Sequence, residues 1–143
     1  MARIRLGSEE IKYITLFESI TGARVKDCVV YNNSMGFLVE KGDMGLAIGK
    51  NGSNIDRVRK IINKNIWVME YSDNVNEFIR NLFQPVRIRQ LRLNESRNEK
   101  IVLLEISKRD RKRVIGHGGN RIRIARELSQ RHFGIDDIKI NSV

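Results

Sequence analysis

The pattern Ile-Gly-x-x-Gly-x-x-Ile occurs twice in this chain, as "AIGKNGSNI" from Ala47 and as "VIGHGGNRI" from Val114, in a register shifted by 67 residues. In that register Ile48 aligns with Ile115, Gly49 with Gly116, Gly52 with Gly119, Ile55 with Ile122 and Arg59 with Arg126. Identity elsewhere is sparse, but these matches fall on the positions that punctuate a fold. They mark an internal repeat, so the chain is expected to be two copies of one supersecondary unit.

The residues around each bend agree. "SEEIKYITLFESIT", Ser8 to Thr21, spaces Ile11, Ile14 and Phe17 as on one helix face, with Ser8 as N-cap and Gly22 as stop. "RVKDCVVYNNSMGFLVEKGDM" reads as two strands joined by the polar turn "NNSMG". "DMGLAI" is a short helix running into the first bend. After it comes a longer helix, capped by Ser53 or Asn54, with Ile55, Val58, Ile61 and Ile62 as its apolar face. "NIWVMEYS" is a strand.

Then the order restarts. "NVNEFIRNLFQ" is a helix stopped by Pro85, "VRIRQLRLNES" a strand with one wet face, and "NEKIVLLEIS" its partner. "SKRD", Ser107 to Asp110, has capping-box spacing before a short basic helix. Beyond the second bend Asn120 is placed to cap a helix carrying Ile122, Ala125 and Leu128, and "IDDIKINSV" is a closing strand. The expected fold class is α+β: two tandem units, 1–72 and 73–143, each a three-stranded sheet with helices packed on one face. No Gly- or Pro-rich stretch separates them, so they are expected to sit close together rather than on a loose tether.

Each bend has a mechanical reading. Apolar residues on either side pin two helices into one core. The glycines let the backbone turn sharply and let a ligand approach, because no Cβ intrudes. A helix starts at the bend, so unpaired N–H groups and the positive end of its dipole face whatever lies there, which suits a phosphate. The alternative is a plain helix–turn–helix connector. Charge favours the first reading: 27 Lys and Arg against 17 Asp and Glu give +10, as expected for a protein that meets a polyanion, above all nucleic acid. The excess is uneven, 11 basic against 8 acidic residues up to Ser72 and 16 against 9 beyond it.

"AIGKNGSNI" and "VIGHGGNRI" resemble the Gly-x-x-Gly loop of KH domains, which clamps the backbone of about four nucleotides. The helix and strand before each core are similar to the type II arrangement, and two such units in tandem resemble the archaeal NusA-like transcription termination factors. The resemblance implies binding of single-stranded RNA, in transcription termination or antitermination on nascent RNA, possible contact with RNA polymerase or other transcription factors, and a cytoplasmic location. It implies no room for the further polymerase-binding and S1 domains of bacterial NusA. It assigns the first clamp to Gly49, Lys50, Asn51 and Gly52 and the second to Gly116, His117, Gly118 and Gly119, where no lysine stands between the outer glycines. Ile48, Ile55, Ile115 and Ile122 are the expected groove floor. Arg57, Arg109, Lys112, Arg121 and Arg123 are the expected flanking cations.

Rival readings are an RNA-binding protein of ribosome assembly, RNA processing or decay, a module whose basic face meets an acidic protein, and, remotely, a nucleotide-hydrolysing enzyme. A P-loop would need four residues between its first glycine and a Gly-Lys-Ser/Thr; Gly45 stands one residue too near Gly49, and Asn51 follows Lys50. No His/Cys spacing suits a metal, and no nucleophile–base pair is evident, so neither a cofactor nor catalysis is expected. Cys28, the lone cysteine, is expected to be a buried inert thiol. His132 reads as a helix-end residue, and Tyr13, Tyr31, Trp67 and the phenylalanines as core. The start has no signal-peptide pattern, and the apolar runs are too short to span a bilayer.

Overall fold

The computed structural model describes residues 6–143. Helix α1 (Ser8–Thr21) leads into the antiparallel strands β1 (Val25–Tyr31) and β2 (Ser34–Val39). Helices α2 (Met44–Ile48) and α3 (Ser53–Ile62) flank the first bend, and β3 (Asn65–Glu70) returns parallel to β2. The second unit repeats this: α4 (Val75–Leu82), β4 (Ile88–Glu95) antiparallel to β5 (Lys100–Ile106), α5 (Arg111–Ile115), the second bend, α6 (Asn120–Phe133), and β6 (Asp137–Ser142) parallel to β5. Each sheet has its first two strands as a hairpin and its third reached by a helical crossover, the connection a parallel pair needs.

The layers run helix, sheet, helix, sheet. One face of the first sheet packs on α1 and α3, with Phe17 stacked on Phe37 at 4.2 Å between ring centroids. Its other face is covered from the second unit. Val29, Leu38 and Met69 join Phe78, Leu82, Ile124 and Leu128 in a core that continues to Val102, Leu104 and Ile138 of the second sheet. Each repeat's own helices therefore lie on one face of its sheet, and α6 adds a second cover to the first. Strand β2 is buried along its whole length as a result. At Gly36 the helix comes so near that a Cβ would stand 2.6 Å from Cγ2 of Ile124.

Polar groups lock this junction. Asp27 on β1 is fully buried; it accepts from Nη1 of Arg131 at 2.9 Å, and its other oxygen lies 2.9 Å from Nε2 of His132. Asn120 donates to the Ser34 hydroxyl at 3.0 Å. His132 is thus an inter-unit contact and more than a helix-end residue.

Local details depart from the sequence reading at helix starts, at the first hairpin and on two apolar faces. The N-caps of α1, α3 and α6 are Gly7, Gly52 and Gly119, and none makes a side-chain cap hydrogen bond. Ser8, Ser53, Asn54 and Asn120 are already helical. Ser107 makes no side-chain cap either. The first hairpin turns on Asn32 and Asn33 alone, and Ser34 to Gly36 belong to β2, where α6 covers Ser34 and Gly36 and the first unit's own core buries Met35. Ile11 and Ile61, expected on apolar faces, are 52% and 54% exposed.

Candidate nucleic-acid interface

The two bends agree torsion by torsion. Gly49 has φ 76° and ψ 172°, Gly116 φ 80° and ψ 169°, a region essentially confined to glycine. Gly52 (φ 76°, ψ 14°) and Gly119 (φ 78°, ψ 11°) are left-handed, as are Asn51 (φ 55°) and Gly118 (φ 63°) between them. In both loops the last glycine donates to the first carbonyl at 3.1 Å. The first glycine donates to the carbonyl four residues back at 2.9 Å in both. A Cβ at Gly49 would lie 2.9 Å from the Asn54 nitrogen, and one at Gly116 2.8 Å from that of Arg121. The first glycine of each bend is a steric requirement of this turn, whereas Gly52 and Gly119 answer only to their positive φ.

A clasp closes each bend. Asn54 Nδ2 donates to the Leu46 carbonyl at 2.8 Å. Sixty-seven residues on, at the matching pair, Arg121 Nη1 donates to the Arg113 carbonyl at 3.1 Å. Arg121 also reaches from Nη2 to the carbonyls of Gln84 at 2.9 Å and Leu82 at 3.4 Å. It is 6% exposed; burial, and secondarily the Arg113 charge, lowers its pKa to about 10. The expectation that Arg121 offers its charge to RNA is therefore corrected: the guanidinium is spent on three main-chain carbonyls inside the fold.

What the bends present outward is Lys50 and Asn51 in the first and His117 and Gly118 in the second, all exposed. Ile48 and Ile115 are half-buried and offer an apolar surface beside the loops. Ile55 and Ile122 are only 4% exposed and serve the core rather than an open groove floor. Arg57 and Lys112 are exposed on the helices flanking the bends. Arg123 lies over the Tyr31 ring, 4.8 Å from its centroid, across the junction. Arg109 stands away from its bend, beside Arg87 and Arg89 at the end of the second sheet.

The structure also brings together residues the sequence kept apart. A concavity of about 340 Å³ is lined by Arg59, Lys64, Asn65, Ile66 and Trp67 of the first unit and by His117 of the second bend. Trp67 is half-buried and not simply core. An aromatic ring with two cations nearby is a fair signal for base stacking; His117 joins it only through the tertiary fold. Cys28 is fully buried, and burial, with the neighbouring Asp27 carboxylate, pushes its thiol up to about 12. Among the described residues no three His, Cys, Asp or Glu side chains are grouped to hold a metal, and no helix is long and apolar enough to cross a membrane.

Comparison with known proteins covers the first bend by family and nearly the whole chain by relatives. The KH domain family matches residues 11–89, more than half the chain. The probable transcription termination protein NusA of Methanocaldococcus jannaschii is 34% identical over 140 residues, 98% of this chain and 76% of that one. The protein of that name from Methanococcus vannielii is 35% identical, covering 96% and 80%, and that from Halococcus morrhuae 32%, covering 96% and 99%. The crystal structure of APE1850 superposes with a TM-score of 0.76 at 36% identity, over 95% of this chain and all of that one. With its repeated Gly-x-x-Gly bends and its matched sheets, the chain belongs to the KH-domain family and, within it, to the archaeal NusA-like proteins.

Proposed function

We propose that this protein binds single-stranded RNA through both bends and acts on nascent transcripts in termination or antitermination. The observation that carries the reading is the identity of the two loops: the same strained glycine, the same left-handed pair and the same clasp, built from different residues. Conformation has been kept where composition has not, as expected of two copies of a backbone clamp. Each loop stands at the start of a helix, whose positive end suits a phosphate; the first helical N–H groups, of Ser53 and Asn120, already donate to the Lys50 and His117 carbonyls, so the loop's own N–H groups are the ones offered to it. Residues 1–72 and 73–143 are the two binding units in this reading, and the junction concavity at Trp67 and His117 carries the strand from one to the other. The protein works by binding, with no catalytic step, in the cytoplasm. The relatives' names speak of transcription termination, and on that ground we take a component of the transcription machinery, such as RNA polymerase, as the further partner.

The test is a charge reversal at the loops. Lys50→Asp with Asn51→Asp, and His117→Asp, place carboxylates where phosphates would lie. All three sites are exposed, so stability should change by about 0.5 kcal/mol or less. Affinity for an unstructured RNA should fall at least tenfold, about 1.4 kcal/mol, a modest part of what like-charge contact can exact. Variants that melt like the parent and bind RNA undiminished would reduce the loops to connectors. Crosslinking in cells assigns the process: nascent transcripts support it, and ribosomal RNA alone refutes it.

A further inference from the structure

The two sheets differ on the face their own repeat leaves open. In the first, that face carries Val29, Leu38 and Met69 and is sealed by α6. In the second, the equivalent face is exposed or half-buried along its rows, and its composition has changed. Two rows run across it: Arg92, Leu103 and Lys139, then Gln90, Glu105 and Asn141. They line a concavity of about 320 Å³. Toward the start of β4 a second concavity, about 520 Å³, is lined by Arg87, Arg89 and Arg109 with Ser107 and Asp110. Arg87, Arg89, Arg92, Arg109 and Lys139 are all exposed, and none takes part in an ion pair among the described residues. Asp110 is turned to Arg113, 3.7 Å away, which leaves Glu105 as the main opposing charge.

We propose that this open face of the second sheet is a separate RNA-backbone site, which holds the sugar–phosphate chain outside the two bends without reading its sequence. Four of its five cations are arginines, whose planar fork matches phosphate oxygens. No aromatic residue stands in the two rows, so bases have nothing to stack on and the contact is with backbone. An acidic protein fits less well. Stable protein interfaces bury an apolar centre, and Leu103, half-buried, is the only apolar side chain in those rows. The site does not depend on the clamp reading, because it lies on a different surface.

The experiment compares RNAs of two lengths on the full chain. An unstructured RNA of about ten nucleotides can fill the bends, each taking about four, and one of about thirty can also reach the outer face. The variant carries Arg87→Gln, Arg89→Gln, Arg92→Gln and Lys139→Gln, with melting curves as the control for folding. A second variant with Arg87→Lys, Arg89→Lys and Arg92→Lys keeps the charge. The glutamine variant should bind the long RNA at least tenfold more weakly and the short RNA like the parent. With about 0.7 of log–log salt slope per phosphate contact, its slope on long RNA should be shallower by up to about 3. The lysine variant should retain most of the slope. Undiminished binding of the long RNA would overturn the proposal. So would equal losses on both lengths, which a general charge effect produces. A polyglutamate probe that binds the parent and not the glutamine variant, while long-RNA affinity stays unchanged, would also overturn it in favour of an acidic protein. If the parent fails on short RNA but the variant still loses the long one, the clamp reading falls and this one stands.

Discussion

Replacing Asp27 by asparagine keeps the side chain's shape and removes a buried charge that ties the two units together. The carboxylate is fully buried and has three partners: the Cys28 N–H at 2.8 Å, Arg131 at 2.9 Å and His132 at 2.9 Å. Removing one member of a buried ion pair costs about 3–5 kcal/mol, because the remaining charge is left without compensation. Two features move the value to the lower end. Arg131 is 27% exposed, and it keeps Glu127 at 3.1 Å. We expect a loss of about 3 kcal/mol in urea or guanidinium unfolding, and a fall in Tm on the order of 10 °C at this chain size. The only tryptophan, Trp67, sits near the junction and is a convenient fluorescence probe beside circular dichroism. A cycle with Arg131→Gln should show coupling above about 1 kcal/mol, as expected of residues in one network. A loss under about 1 kcal/mol, with the two substitutions simply additive, would refute the idea that this cluster secures the junction.

Two further outcomes follow from other sites. Gly116→Ala should cost about 1–3 kcal/mol in thermal or chemical unfolding, since its φ of 80° is strained for any side chain and its Cβ would meet the Arg121 nitrogen at 2.8 Å; a variant as stable as the parent would show that the turn relaxes freely. At Cys28 the folded thiol titrates near 12, against 9.0 as its ordinary value. Above about pH 9 the unfolded chain loses the thiol proton first, so the parent should lose stability relative to Cys28→Ala as pH rises. The slope difference should approach 1.4 kcal/mol per pH unit above about pH 10, be about half that at pH 9 and fade below about pH 8; parallel stability curves for the two proteins from pH 8 to 10.5 would refute it.

The bends were readable because glycine at Gly49 and Gly116 answers a local demand, a φ no other residue adopts cheaply. Strand β4 was readable because its alternation reports one wet face. Side chains that answer to distant partners were not. Asn120 has the composition of a helix cap but is drawn to Ser34, 86 residues away. Asp27 looks like an ordinary strand acid until Arg131 arrives from 104 residues further on. Arg121 carries the same formal charge as its neighbours, and only the packing of α6 against the Leu82–Gln84 carbonyls turns it inward. Trp67 fits a core pattern along the strand, and its open edge is created by the second bend, which strand periodicity does not contain.

The sealing of the first sheet by α6 makes the molecule a ruler. With the junction packed at Gly36 and locked at Asp27, the two Gly-x-x-Gly loops stand at one separation before any ligand arrives. For an RNA that touches both, the second contact is intramolecular. Its strength depends on the length of chain between the contacts: none if that chain is too short to span, greatest when it just spans, and falling roughly as the −3/2 power beyond. Because the loops are already placed, little ordering of the protein is set against that gain. If both bends bind RNA as proposed, such a scaffold discriminates transcripts by the distance between two short sites, and inserting nucleotides between the sites should alter affinity with both contact sequences unchanged.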